Sequence, residues 1–76
     1  MITKKLIRTI NELQDIQRLA SKSSMDVAFH SEDSSVVIDA KSYIGMYALD
    51  FQKPILIVSE NKEFHRQIEN IGETVH

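Results

Sequence analysis

Ser42 is the first residue in this chain whose type and setting suggest chemistry. It follows the polar run 39-DAK-41 and opens a sticky segment in which Tyr43, Ile44, Met46 and Tyr47 surround Gly45; Asp50 closes it before Pro54, the only proline. A serine hydroxyl at such a boundary can cap a helix. It can also accept a phosphoryl group, since a phosphate is tolerated at a helix N-terminus and brings acceptor oxygens. Thr9 poses the same choice. With Glu12 it forms T-x-x-E, the capping-box pattern that satisfies free N–H groups at a helix start. The histidines are scattered, with His30 beside the turn 31-SEDSS-35, His65 far along the chain and His76 at its end. His30 with Glu32 and Asp33 could in principle ligate a metal, but the ordinary composition of a polar turn explains them better. There is no glycine-rich phosphate loop, no nucleophile–base pair and no metal-ligand spacing. The expectation is no catalytic residue, no metal and no cofactor.

The elements that must position these residues read out in order. Residues 2–8, ITKKLIR, suggest a short strand whose lysines suit a sheet edge. After Thr9, the residues Ile10, Leu13, Ile16, Leu19 and Ala20 recur at helical spacing, and the helix should end near 21-SKSS-24, where serines favour turns. Met25, Val27 and Phe29 alternate with Asp26, Ala28 and His30, the pattern of a strand. The polar turn 31–35 leads into a second strand marked by Val36, Ile38 and Ala40. A short helix is expected from Ser42 to about Leu49. Pro54 edges the strand 55-ILIV-58, where its missing N–H does least harm. Phe64, Ile68 and Ile71 share one face of a last helix that Gly72 should end. The order β-α-β-β-α-β-α predicts an α+β sandwich, a single domain over residues 1–76 with three helices on one face of a four-stranded antiparallel sheet.

Composition narrows the function classes. At 76 residues the chain is one small domain, and with no cysteine it has neither disulfides nor thiolate metal sites to support its core. Nine basic residues face eleven acidic ones, for a formal net charge of −2. That balance argues against a nucleic-acid partner. The longest apolar run, Ile55 to Val58, is too short to span a membrane. The lack of a signal peptide fits a cytoplasmic protein.

Three features resemble HPr, the histidine-containing phosphocarrier family of the bacterial sugar phosphotransferase system. The helix end 20-ASK-22 followed by 25-MDVAF-29 is similar to the family's first helix and second strand. The stretch 41-KSYIG-45 resembles its K-S-I-M-G, which holds a regulatory serine at the start of a short second helix. The element order is also the family's, and the resemblance covers nearly the whole chain. It implies an open-faced β-sandwich in which the first strand lies beside the fourth, the fourth beside the second and the second beside the third. It further implies that Ser42 is a site of regulatory phosphorylation. Tyr43, Ile44, Gly45, Met46 and Tyr47 would then belong to a surface recognised by proteins of the phosphotransferase system.

The resemblance breaks at the carrier site. The family's phosphocarrier histidine lies in a motif like G-[LI]-H-A-R-P-A at the start of the first helix. Counting back without gaps from 20-ASK-22 places Thr9 at that histidine, Asn11 at the arginine and Glu12 at the proline. A phosphohistidine benefits from helix N-terminal N–H groups and a nearby arginine; here Thr9 competes for the donors and Glu12 adds repulsion. The expectation is a non-catalytic binding or regulatory protein. Two alternatives stay open: a phosphoryl carrier using an unrecognised residue, and a structural self-association module. The latter draws on Ala28, Val37, Leu56 and Val58, which would line the sheet face without helices and support a weak homodimer.

Overall fold

The computed structural model describes residues Met1–His76. Strand β1 (Ile2–Leu6) leads into helix α1 (Ile10–Lys22), followed by β2 (Ala28–Ser31) and β3 (Val37–Asp39). A single 3-10 turn (Gly45–Ala48) precedes β4 (Ile55–Val58), helix α2 (Lys62–Gln67) and β5 (Glu73–Thr74). The strands form one antiparallel sheet in the order β3-β2-β4-β1-β5. The fold is α+β, with five strands in place of the expected four and two helices in place of three.

Both differences have local causes. Gly72 adopts a left-handed φ of 68°, which reverses the chain and lays Glu73 and Thr74 against Leu6 and Lys5 of β1. The Val75 N–H extends the pairing by donating to the Lys4 carbonyl at 2.8 Å. β1 is therefore an interior strand, and its lysines do not guard an edge. The last helix is also shorter than its apolar pattern implied. Asn61 caps it, its side-chain oxygen accepting from the Phe64 N–H at 3.2 Å, but regular helix stops at Gln67. Ile68 and Ile71 reach the core from the turns that follow.

The second expected helix tightens to a 3-10 turn. Gly45 is a poor helix former, and it sits against the sheet so closely that a Cβ there would lie 2.8 Å from Ile38 Cγ2. Its backbone is packed on β3, leaving one turn of chain before Leu49.

The core lies between the helices and one face of the sheet. Strand alternation puts Ile55 and Ile57 of β4 inward, and Ile57 stands between Thr3 and Phe29 on the neighbouring strands. Ile16 and Ala20 of α1, Phe64 of α2, Ile68 beyond it, and Met46 and Leu49 of the 43–50 segment close over them. The buried stripe of α1 differs from the sequence reading at two places. Ile10 is 72% exposed, and Gln17 is buried. No helix is long and apolar enough to cross a membrane.

Candidate functional site

The start of α1 is closed by its own side chains. Thr9 is extended and is the N-cap residue, its hydroxyl accepting from the Glu12 N–H at 3.1 Å. Glu12 reaches back, one residue further than a standard capping box, and its Oε1 accepts from the Arg8 N–H at 2.8 Å. Its Oε2 lies 3.5 Å from the Arg8 guanidinium. The Arg8 N–H, more than the guanidinium beside it, holds the Glu12 carboxyl below its usual range. A carboxylate thus stands beside this helix end on the Arg8 N–H and guanidinium, and the Thr9 hydroxyl takes the Glu12 N–H, so an incoming anion would meet negative charge there.

Ser42 is half-buried, and its Oγ accepts from the Gly45 N–H at 3.2 Å. It caps the turn ahead of the 3-10 segment rather than the helix predicted from Ser42. The five residues after it divide. Met46 enters the core and Gly45 packs on Ile38, so neither is free for a partner. Tyr43, Ile44 and Tyr47 are 63%, 85% and 90% exposed, a density of bare apolar side chains within five residues that the core leaves unused.

The face of the sheet opposite the core carries Leu56 and Val58, flanked across the strands by Ala28, His30 and Val37 on one side and Ile2 and Lys4 on the other. Ile2 and Val37 are exposed, while Ala28, Leu56 and Val58 are half-buried. Lys4 pairs with Glu32 at 2.8 Å, so this ion pair reaches over β4 beside Leu56.

His65 is placed where sequence alone could not put it. It is buried, with Nε2 2.8 Å from the Ser59 carbonyl and Nδ1 2.6 Å from Thr3 Oγ1. A carbonyl can only accept, which puts a ring proton on Nε2, and Nδ1 pairs with the Thr3 hydroxyl. Nδ1 thus ties α2 to β1, and Nε2 ties it to the chain just after β4. Lys5 is likewise buried on the core side, its ammonium donating to the Glu69 carbonyl at 3.0 Å and to Thr74 Oγ1 at 2.8 Å. Burial pushes its pKa down, against the opposing pull of Glu69 and Glu12. The contacts of Thr3 and Lys5 span more than 60 residues of chain, beyond the reach of any local pattern. No group of three or more His, Asp or Glu side chains is arranged to hold a metal ion.

No family model, curated protein or solved structure matches the chain.

Proposed function

We propose that this protein is an HPr-like domain without phosphocarrier chemistry, a binding or regulatory partner of the phosphotransferase system with no catalysis of its own. The observation that carries this reading is Glu12. Its carboxylate takes the Arg8 N–H and approaches the Arg8 guanidinium, where a phosphoryl group would need free donors and a free cation. The side-by-side placement of β1 with β4, β4 with β2 and β2 with β3 supports the resemblance, as does Ser42 at the head of an exposed segment. In this reading Tyr43, Ile44 and Tyr47 make the partner contact, and Ser42 is the site where a kinase would regulate it. A phosphate on Ser42 Oγ adds charge beside the Gly45 N–H and presses on a turn with no slack against Ile38.

The experiment is a titration of the ¹⁵N-labelled chain with purified enzyme I. Shifts centred on residues 43–47 are expected. Unchanged spectra at near-millimolar enzyme I would remove the link to the phosphotransferase system.

The exposed Ile2 and Val37 on the helix-free face favour a second reading, weak self-association. Burying one large aliphatic side chain contributes about 1.5–3 kcal/mol, set against several kcal/mol of lost freedom on association. The Lys4–Glu32 pair would also have to be desolvated. The expected dimer is therefore weak, related by a two-fold axis, and abolished when Leu56 and Val58 are both replaced by threonine. Sedimentation across a concentration series decides it, and a chain still monomeric near 1 mM would end this reading.

A further inference from the structure

The helix-free face of the sheet is laid out about β4. Val58 has Ile2 of β1 on one side and Ala28 of β2 on the other. Leu56 has Lys4 on one side and His30 on the other. A half-turn about an axis that runs along β4 in the plane of this face exchanges β1 with β2. A second copy laid on the face by that operation sets its Ile2 over Ala28 and its Lys4 over His30, while Val58 and Leu56 meet their own counterparts. Apolar positions thus fall on apolar positions, and an ammonium falls on an imidazole. A two-fold contact is self-complementary, so each such pairing occurs twice. Sheets whose strands run within about 30° of each other pack face to face in this way.

The pairing of Lys4 with His30 depends on protonation. A neutral imidazole offers one nitrogen as an acceptor for the Lys4 ammonium, which already meets Glu32 at 2.8 Å. The contact then holds a chain from Glu32 through Lys4 to His30 of the second copy, so the ammonium leaves water with two partners instead of one. A protonated imidazole has only donors and sets a second positive charge against Lys4. Histidine is the side chain that changes charge between pH 5 and 8. Within one copy, β4 presents only Leu56 and Val58 toward His30, and β3 presents Val37 and Asp39. Asp39 Oδ1 accepts from the Lys41 N–H at 2.9 Å. Glu32, two residues along from His30, is already shared with Lys4, so one carboxylate would face two cations once His30 is protonated.

We propose that a second copy of this chain covers the helix-free face with Lys4 of each copy on His30 of the other, and that protonation of His30 releases it. This rests on the self-association reading and adds the register of the contact and its control by pH.

The test is sedimentation of the full chain across a concentration series at about pH 8 and about pH 5.5, with ¹⁵N spectra confirming the fold at both. The dimer dissociation constant should rise roughly ten-fold from the higher pH to the lower. His30→Gln keeps a neutral acceptor at both pH values and should dimerise equally at both, which separates His30 from the other histidines. Lys4→Gln removes the opposing cation and should lose most of the pH dependence. A wild-type dimer of equal strength at both pH values, or an undiminished pH dependence in either variant, overturns the proposal and leaves self-association standing. A chain that stays monomeric at both pH values near 1 mM overturns both.

Discussion

Glu12 lies three residues past Thr9, and its carboxylate meets both the N–H and the guanidinium of Arg8. Because its pKa is lowered in the fold, its stabilising contribution is present above the ordinary carboxylate range near 4.3 and is lost as pH falls through the lower folded value. Glu12→Gln should therefore flatten the acid limb of the stability curve, measured by urea unfolding at a series of pH values. An unaltered acid limb would mean the Arg8 contact contributes nothing in solution. Asp33 behaves alike at the hairpin turn. Bonds from the Ser35 hydroxyl first, then from the Ser35 N–H and the Ser31 hydroxyl, hold its carboxyl down to about 2. Asp33→Asn should weaken the turn most at neutral pH and least near pH 2, where the native aspartate also begins to protonate. Beside it, Ser34 takes a φ of 62° that favours glycine. Ser34→Gly should add about 0.5–1 kcal/mol by relieving that strain. A loss of stability in urea would show that the serine makes contacts the turn depends on.

Among the elements, the 3-10 turn is the most constrained by packing. A methyl group at position 45 would meet Ile38 Cγ2 at 2.8 Å and Ser42 Oγ at 3.0 Å. Gly45→Ala should cost about 1–3 kcal/mol through overpacking, and Ser42→Ala about 0.5–1 kcal/mol through loss of the cap on Gly45 N–H. If Gly45→Ala is neutral in thermal unfolding, the turn is looser than its contacts with β3 imply. These elements also mark where the sequence was legible. The alternation in 55-ILIV-58 correctly put Ile55 and Ile57 inward and left Leu56 and Val58 outward, and T-x-x-E correctly located the start of α1. The 43–49 segment reads as a helix by apolar spacing, yet its shape is decided by contact with Ile38, which no local pattern reports. β5 is two residues long and carries no alternation to detect. At the candidate site the type of residue was readable, but exposure was not. Tyr43, Ile44, Met46 and Tyr47 look alike in sequence, and only packing sends Met46 inward.

For the molecule as a whole, the C-terminal segment and the buried Lys5 act as one device. Thr74 and the Glu69 carbonyl give the Lys5 ammonium its partners, and β5 covers the side of β1 that would otherwise be an open sheet edge. Deleting residues 73–76 should cost about 1–3 kcal/mol, since it takes the Thr74 acceptor from the Lys5 ammonium, leaves it the Glu69 carbonyl, and removes the pairing to β1. In that truncated chain Lys5→Met should recover part of the lost stability by removing a charge that has lost one of its two partners. In the full chain the same change should be neutral or unfavourable, because the Glu69 carbonyl and the Thr74 hydroxyl lose their donor. Equal effects of Lys5→Met in both backgrounds, read from urea midpoints, would separate the lysine from the C-terminal segment. The lowered pKa of Lys5 adds a pH signature: the cost of burying its charge is full below the folded pKa and disappears as pH rises toward the ordinary lysine value near 10.4.

The proposed function requires that the start of α1, closed by Thr9 and Glu12, carries no phosphoryl group, and that no histidine of the chain carries one instead. His65 has both ring nitrogens engaged, His30 faces outward from β2 opposite Leu56 and Val37, and neither stands at the α1 start. The most direct measurement incubates the chain with purified enzyme I and phosphoenolpyruvate labelled in its phosphoryl group, beside an HPr that carries the histidine. The control should take up acid-labile label while this protein takes up none. Acid-labile label on His30, His65 or His76, or acid-stable label on Thr9, would contradict the account and restore the carrier reading.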